Sequence, residues 1–184
     1  MAEIVTMHSL LERSERLYES TEIQSALTQI AEQLTAHYAE RNPLILCVMN
    51  GSLMTLGHLL PQLAFPLEID YIHASRYGDE TVGGEVKWFH QPASSLAGRE
   101  VILVEDIVDQ GHTLTVLRQY CLEQGVKSVS CATLVSKADV EKVGEPPEFI
   151  GLTVPNRYVF GFGMDYEGYW RNLPDIYAIS KQDE

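Results

Sequence analysis

The sequence predicts an α/β domain in which helices flank a central, mainly parallel, twisted β-sheet. Two apolar runs, residues 44–49 and 101–104, have the composition of strands that are buried on both faces. Helix patterns alternate with strand patterns along the chain, which is the order typical of parallel sheets. At 184 residues the chain is long enough to bury one core, and we expect a single domain spanning residues 1–184.

The first half of the chain contains two predicted helices. Apolar side chains recur at helical spacing over residues 22–40, and a second helix is expected over residues 53–63, after the first buried strand. Residues 67–72 alternate as a half-exposed strand would. The polar, glycine-rich segment 75–85 predicts a mobile loop, which a hairpin strand through Trp88 closes.

The second half continues the alternation. The buried strand over residues 101–104 leads into a turn, and apolar residues from Leu114 onward have helical spacing. Residues 126–135 predict another strand, and residues 144–147 a surface turn. Short strands follow at residues 149–152, 158–161 and 176–179.

The composition excludes several classes of protein. The formal net charge of −13 argues against a nucleic-acid binder, which depends on Lys and Arg to neutralise phosphates. No apolar run approaches the roughly 20 residues of a membrane helix, and residues 1–16 lack the apolar core of a signal peptide. We therefore expect a cytoplasmic protein, with Cys47, Cys121 and Cys131 as reduced core residues.

The most informative segment is residues 101–114, which joins a buried strand to a helix through two carboxylates and a turn. Glu105 and Asp106 follow the strand, at the edge of a parallel sheet where ligands bind. Gly111 allows backbone N–H groups to converge on one point, and the start of the next helix adds a positive dipole end. The segment therefore predicts a sugar-phosphate site.

Commoner sequence patterns account for this segment less well. A Glu–Asp pair at a strand end is more often the start of a solvated loop, but the whole arrangement is far less common. The phosphate-loop pattern G-x-x-x-x-G-K-[ST] is absent, and Gly161 and Gly163 lack a third glycine at the dinucleotide spacing, where Tyr166 stands. An acidic protein with a polyanionic substrate must also gather its few cations locally or use a divalent metal ion.

These residues carry a resemblance to a known family. The run 101–114 resembles the phosphoribosyl pyrophosphate signature of type I phosphoribosyltransferases, and matches over residues 44–180 are similar to the hypoxanthine-guanine branch. The other matching segments are residues 49–52, 75–84, 135–138 and 158–166, together with Arg171. The resemblance implies the fold of that family, with a small hood formed by N- and C-terminal segments and a flexible loop.

The resemblance also implies a reaction of purine salvage. The 5-phosphoribosyl group of phosphoribosyl pyrophosphate would pass to N9 of hypoxanthine or guanine, giving IMP or GMP and pyrophosphate, with Mg²⁺ as cofactor. The implied partners are phosphoribosyl pyrophosphate, a 6-oxopurine base and further copies of the chain in a homodimer or homotetramer, without nucleic acid or membrane.

By this resemblance, the signature residues bind the phosphoribosyl group. Glu105 and Asp106 would accept hydrogen bonds from the ribose 2- and 3-hydroxyls. The turn would wrap the 5-phosphate through Asp109, Gln110, Gly111, His112 and Thr113. Asp109 would also be the general base at the purine N7, whereas its alternative role is to cap the following helix.

Two turn residues depart from the commoner family pattern. Gln110 stands where a small hydroxyl residue is usual, and His112 where Lys is often found. His112 would supply positive charge only when protonated, which predicts that phosphate affinity depends on pH.

The purine-binding residues implied by the resemblance lie further along the chain. Lys137 would donate to the purine O6 and so reject adenine, or it is an exposed lysine at a strand end. Tyr158 would stack on the base, or it is a core tyrosine. The Val159 carbonyl would face the edge of the base.

The pyrophosphate group has its own implied residues, namely Asn50, Gly51, Ser52 and Arg171. The metal ligands implied by the resemblance are Asp165, Glu105 and Asp106. The family often has a cis peptide at the first of these turns, and we expect one between Met49 and Asn50.

The flexible loop is represented by Ser75, Arg76 and Tyr77, which would close over the reacting centre and exclude water. Arg76 stands where a serine is frequent, and either contacts pyrophosphate or is solvated in the open loop.

The sequence alone leaves alternative functions open. Lys137 weighs against an adenine-directed enzyme, but not against a xanthine-directed one. A non-catalytic relative that senses nucleotides or binds RNA is a different class, and the low content of basic residues argues against it.

Overall fold

The computed structural model describes residues 2–76 and 86–180. Its helices are α1 (Ala2–Arg13), α2 (Ser20–Tyr38), α3 (Leu53–Leu59) and α4 (His112–Glu123). Its strands are β1 (Glu15–Tyr18), β2 (Leu44–Val48), β3 (Glu68–Arg76), β4 (Val86–His90), β5 (Glu100–Val108), β6 (Ser128–Lys137), β7 (Phe149–Val154), β8 (Val159–Phe160) and β9 (Ile176–Ala178). A 3₁₀ turn, Leu60–Gln62, extends α3.

Six strands form the central sheet, in the order β4-β3-β2-β5-β6-β7. All neighbouring pairs are parallel except β3 and β4, which are antiparallel. The carboxyl ends of β2, β5 and β6 therefore meet at one edge of the sheet, as predicted for an α/β domain.

The central strands are covered on both faces, which explains their continuous apolar sequence. Every residue of β2 is buried, as are the first five residues of β5. On one face α2 contributes Ile23, Leu27, Ile30 and Leu34 to the core, and on the other α4 contributes Leu114, Leu117 and Cys121. Each helix thus closes one side of the sheet along its apolar stripe.

A second sheet of three strands, β1-β9-β8, forms the hood. It brings residues 15–18 against residues 176–178, in antiparallel pairing. The Tyr18 hydroxyl donates to the Thr153 carbonyl at 2.6 Å and so joins the hood to β7. The predicted hood of N- and C-terminal segments is confirmed.

Several predicted boundaries differ from the structure. The second helix ends at Leu59 rather than residue 63, because Pro61 lies in a 3₁₀ turn. Ser75 and Arg76, expected in the loop, are the last residues of β3, where they pair with Lys87 and Val86. Tyr77 lies outside the described residues.

The half-exposed strand β3 exposes its more apolar face. Ile69 is 56% exposed and Tyr71 43%, whereas Ile72 is fully buried. Together with Leu53, the two exposed residues border an apolar groove. The sequence predicted the alternation of β3, but not which of its two faces packs against the core.

The three cysteines are free and buried, which confirms that prediction. Within residues 2–76 and 86–180, no helix combines the length and the hydropathy that crossing a bilayer requires.

Candidate active site

The two carboxylates of β5 are drawn into the protein at the carboxyl edge of the sheet. Burial, reinforced by the charge of Asp106, raises the pKa of Glu105 well above its usual range. The Glu105 Oε2 atom is buried without a hydrogen-bond partner. Burial also raises the pKa of Asp106 to about 6, although the Ile107 amide donates to its Oδ1 at 2.8 Å. Both groups therefore suit a ligand that supplies hydroxyl donors or positive charge.

Asp106 packs directly on the turn that follows β2. The Met49–Asn50 peptide is cis, as expected from the resemblance. A Cβ atom on Gly51 would lie 1.8 Å from Asp106 Oδ2, so only glycine leaves room for this carboxylate. Ser52 is fully buried, and its amide donates to the Val48 carbonyl at 3.3 Å. In this conformation Ser52 supports the turn from inside, while Asn50 is exposed.

The turn between β5 and α4 lines a cavity of about 290 Å³. Its walls include Glu105 and all five turn residues predicted to bind the 5-phosphate, namely Asp109, Gln110, Gly111, His112 and Thr113. Gly111 is the N-cap of α4 and has a φ of +90°, which favours glycine. The positive end of the α4 dipole and free backbone amides suit an anion here.

The two unusual turn residues contact each other. His112 Nε2 lies 3.1 Å from Gln110 Oε1, a distance that fits a hydrogen bond donated by the imidazole. Each side chain therefore helps to orient the other at the rim of the cavity.

Asp109 and Lys137 meet where β5 and β6 end. Val108 pairs with Ser136 in the sheet, so the next residues stand side by side. The Lys137 ammonium donates to Asp109 Oδ2 at 2.7 Å. Gly111 rather than Asp109 caps α4, and Lys137 is only 14% exposed. Both simpler roles, a helix cap and a solvated lysine, therefore disagree with the structure.

A second cavity of about 200 Å³ adjoins the first and shares Ile107 and Asp109 with it. Its remaining walls are Asp106, Lys137, Tyr158, Val159, Met164 and Asp165. Tyr158 is 45% exposed, in edge contact with Tyr166, and so is not a core residue. A flat ring beside a lysine suits an aromatic ligand that carries a hydrogen-bond acceptor.

Arg171 and Asp165 form a pair beside the Gly51 turn. Arg171 Nη2 lies 2.6 Å from Asp165 Oδ1, and Arg171 Nη1 donates to the Gly163 carbonyl at 2.7 Å. A Cβ on Gly163, whose φ is +100°, would lie 2.0 Å from the Gly51 carbonyl oxygen. The two glycines thus allow the Arg171 segment and the Asp106 strand to approach the same turn.

The carboxylates at this edge of the sheet provide part of a binding site for a metal ion. In the part of the chain that the structure describes, no three His, Cys, Asp or Glu residues form a ready cluster. The unpartnered Glu105 oxygen, the neighbouring Asp106 and the Asp165 carboxylate are nevertheless hard oxygen donors at one edge of the sheet. They fit a cation that takes its other ligands from substrate and water.

Sequence reasoning missed a group of contacts behind the turn. The Lys142 ammonium donates to the carbonyls of Val108 and Asp109, and the Val143 amide donates to the Gln110 carbonyl. Residues 142 and 143 lie just before the predicted surface turn, and only the fold brings them to the site. The cations near the two cavities thus include Lys137, Lys142 and Arg171, in a chain of net charge −13.

Comparison with known proteins gives a consistent result. Residues 13–167 match the family described as the phosphoribosyl transferase domain. The chain is 34% identical over 167 residues to the hypoxanthine-guanine phosphoribosyltransferase of Streptococcus thermophilus, covering 90% of this chain and 93% of that protein. It is 36% identical over 172 residues to the bifunctional protein TilS/HprT of Listeria innocua, but spans only 26% of that longer protein.

Solved structures agree with the sequence relatives. A hypoxanthine phosphoribosyltransferase from Staphylococcus aureus superposes with a TM-score of 0.88 at 28% identity, covering 97% of this chain and 96% of that one. A hypoxanthine-guanine phosphoribosyltransferase from Bacillus anthracis gives a TM-score of 0.85 at 29% identity, with coverage of 90% and 98%. Both similarities therefore extend over nearly the whole chain.

Proposed function

Because this chain belongs to the phosphoribosyl transferase family, we propose that it transfers the 5-phosphoribosyl group of phosphoribosyl pyrophosphate to N9 of hypoxanthine or guanine. The products are IMP or GMP and pyrophosphate, and the reaction belongs to purine salvage. The observation that carries the proposal is the Asp109–Lys137 pair, which stands between the turn cavity and the Tyr158 cavity.

The turn cavity takes the ribose 5-phosphate part of the substrate. Amides and the Thr113 hydroxyl surround the phosphate, and the α4 dipole favours its charge. Glu105 and Asp106 accept hydrogen bonds from the two ribose hydroxyls, which gives the buried Glu105 oxygen a partner. Ionised carboxylates beside the ribose also stabilise the positive charge that develops at the anomeric carbon.

The Tyr158 cavity takes the purine. Tyr158 stacks on the ring, Lys137 donates to O6, and the backbone of Val159 faces the edge of the base. A 6-oxopurine replaces Asp109 as the acceptor of the Lys137 ammonium. Asp109 is then free to accept the proton that N7 loses as N9 bonds to the anomeric carbon and the bond to pyrophosphate breaks.

The leaving group lies against the turn after β2. Asn50 and Gly51 contribute backbone, and the Arg171 guanidinium provides two parallel donors for phosphate oxygens once it leaves Asp165. Glu105, Asp106 and Asp165 would hold Mg²⁺, which when bound offsets the charge of the departing pyrophosphate. We propose that the segment that begins with Tyr77, after Ser75 and Arg76 at the end of β3, is the loop that closes over this centre.

Association with a second copy is also part of the proposal. Leu53, Ile69 and Tyr71 expose apolar surface along a groove that begins at Met49, beside the pyrophosphate turn. Burial of such a patch between two copies would remove apolar surface from water. Light scattering tests this point, and a mass equal to one chain at micromolar concentration contradicts it.

A single assay tests the activity. The pure protein is incubated with Mg²⁺, phosphoribosyl pyrophosphate and each of hypoxanthine, guanine, xanthine and adenine, and nucleotide formation is followed by absorbance. We expect turnover with hypoxanthine or guanine and at most a low activity with adenine. Turnover of xanthine alone would reassign the base, and no turnover with any base would contradict the proposed activity.

A further inference from the structure

The turn that we assign to the 5-phosphate is held from behind through its carbonyl groups. Lys142 Nζ donates to the Val108 carbonyl at 3.2 Å and to the Asp109 carbonyl at 2.5 Å. The Val143 amide donates to the Gln110 carbonyl at 2.7 Å. The Gly111 carbonyl accepts from the Thr115 amide and hydroxyl, both at 2.9 Å. Four successive carbonyls are thus engaged.

These contacts determine where the amides of the turn point. In a planar trans peptide the carbonyl of one residue and the N–H of the next point in opposite directions. Carbonyls of residues 109–111 that are held by donors behind the turn therefore direct the amides of residues 110–112 the other way. The donors Thr115, Lys142 and Val143 are not among the residues lining the turn cavity, whereas Gln110, Gly111 and His112 are. The amides consequently face the phosphate position.

Lys142 uses its full donor capacity in this arrangement. An ammonium group has three N–H donors, and the third is directed at Ser136 Oγ, 3.3 Å away. The residue is exposed overall, yet partial burial lowers the pKa of its ammonium. It therefore bridges the end of β5, the turn and the end of β6.

The segment that carries Lys142 is itself anchored to α4. The guanidinium of Arg118 donates to both carboxylate oxygens of Glu148, at 2.9 and 2.6 Å, and to the Pro146 carbonyl at 3.0 Å. Glu148 also accepts from the Cys131 amide at 2.7 Å. The Arg118 side chain is 8% exposed and that of Glu148 38%, so the guanidinium of this bidentate pair is shielded from solvent. The segment that carries Lys142 is thus held in place by these contacts.

We propose that Lys142 is a positioning residue for 5-phosphate binding, which holds the phosphate-facing amides by bonding the carbonyls of Val108 and Asp109. Its charge also adds to the local positive field in an acidic protein. The inference rests on the proposed function, because it assigns the turn cavity to the 5-phosphate. It adds a residue from residues 139–148, a segment to which the sequence-based assignment gave no role in the site.

The test compares Lys142→Met with Lys127→Met, which changes the net charge equally. Lys127 is 68% exposed and pairs with Glu100, at the opposite end of β5 from the turn. Titration calorimetry measures the affinity for ribose 5-phosphate, which probes the turn cavity without turnover. Pyrophosphate serves as a second probe, because it occupies the Gly51 and Arg171 region.

We expect Lys142→Met to weaken ribose 5-phosphate binding roughly tenfold or more, relative to Lys127→Met. Pyrophosphate affinity should stay within about twofold. In steady-state assays the KM for phosphoribosyl pyrophosphate should rise by a similar factor, with kcat within about threefold. Lys142→Arg should restore most of the affinity, since a guanidinium can reach the same carbonyls.

Equal ribose 5-phosphate affinity in Lys142→Met and Lys127→Met would overturn the inference. If Lys142→Met does not fold, Lys142→Gln takes its place in the same comparison with Lys127→Met. The glutamine removes the charge but keeps an amide donor. A wild-type protein that neither binds ribose 5-phosphate nor turns over any base contradicts the proposed function itself. A wild-type enzyme with an unaffected Lys142 variant contradicts only the role of Lys142.

Discussion

The ammonium of Lys137 lies 2.7 Å from the carboxylate of Asp109, at the adjacent ends of β6 and β5. In the described conformation each group satisfies the other. A 6-oxopurine offers an acceptor at O6 and a donor at a ring nitrogen, so it can replace both halves of this ion pair. Without a base, Lys137 and Asp109 therefore bond to each other through the same two groups that we propose bind the base.

Replacement of Asp109 by Asn should impair turnover far more than binding. The amide keeps the shape of the side chain but cannot accept a proton, and general base catalysis typically contributes about 10²–10⁴-fold. We expect kcat to fall within this range, with the dissociation constant for phosphoribosyl pyrophosphate changed only a few-fold. Asp139→Asn, on the exposed segment after β6, is the matched control. An unchanged turnover number would remove Asp109 as the base.

Replacement of Lys137 by Met should narrow the discrimination between bases. The change deletes the donor to O6, so kcat/KM for hypoxanthine should fall roughly 10- to 100-fold while the low activity with adenine changes little. Tyr158→Phe keeps the stacking ring and should leave the ratio of the two bases unaltered. The ratio of kcat/KM values is the measurement, and an equal loss for both bases would contradict a role of Lys137 in selecting O6.

Asp106→Asn should stabilise the ligand-free protein at neutral pH. The pKa of Asp106 is raised to about 6 by burial, so the folded chain holds this proton more tightly than the unfolded chain. The resulting stabilisation is fully present below about pH 4 and is lost as the pH rises through about 6. The free energy of unfolding of the Asn variant, relative to that of the wild type, should therefore increase by about 1 kcal/mol between pH 5 and pH 7.5.

Denaturant titrations at these two pH values measure the difference. An advantage that stays constant would indicate that Asp106 is not protonated in the folded protein at pH 5. The same variant should bind phosphoribosyl pyrophosphate more weakly, because the amide is a poorer acceptor for ribose hydroxyls.

Gly51→Ala should disrupt the geometry of the site although it replaces no charged residue. The added methyl would lie 1.8 Å from Asp106 Oδ2, so the turn or the carboxylate has to move. Displacements of about 1 Å at a reacting centre can cost roughly 100-fold, and we expect a loss of kcat/KM on that order. Gly57→Ala in α3 is the control, because a Cβ there meets nothing within 4 Å. Kinetics of both variants equal to wild type would refute the packing argument.

The elements predicted best are those whose sequence pattern reflects local burial. β2 and β5 are continuous apolar runs because both of their faces are covered, and α2 has an apolar stripe because one of its faces is. β1 was missed for the opposite reason. Its residues Glu15-Arg16-Leu17-Tyr18 carry no period-2 pattern, and pairing with β9 makes them a strand. Such long-range pairing leaves no signal in the local sequence.

The candidate site was predictable where it is contiguous. Glu105 to Thr113 follow one another, and the structure arranges all of them except Asp106 around the turn cavity, while Asp106 lines the adjoining Tyr158 cavity. Lys137 was assigned to the site by the family resemblance, since its position at the end of a strand did not by itself distinguish it from a solvated lysine. The contacts of Lys142 were not predictable, because they depend on how residues 138–148 fold back against the turn. The packing of Gly51 on Asp106 was likewise hidden, since it joins two strands that are adjacent only in the sheet.

The hood has a consequence for the order in which the two halves of the site take shape. The ribose phosphate half comes from residues 101–143, whereas Tyr158 is bonded to Ile179 and β8 pairs with β9, and β9 in turn pairs with β1 at the other end of the chain. Contacts between residues so far apart in sequence require closure of a large loop. A chain whose hood has come apart, by limited proteolysis of the β1 or β9 segment, should thus retain affinity for sugar phosphates and lose affinity for bases.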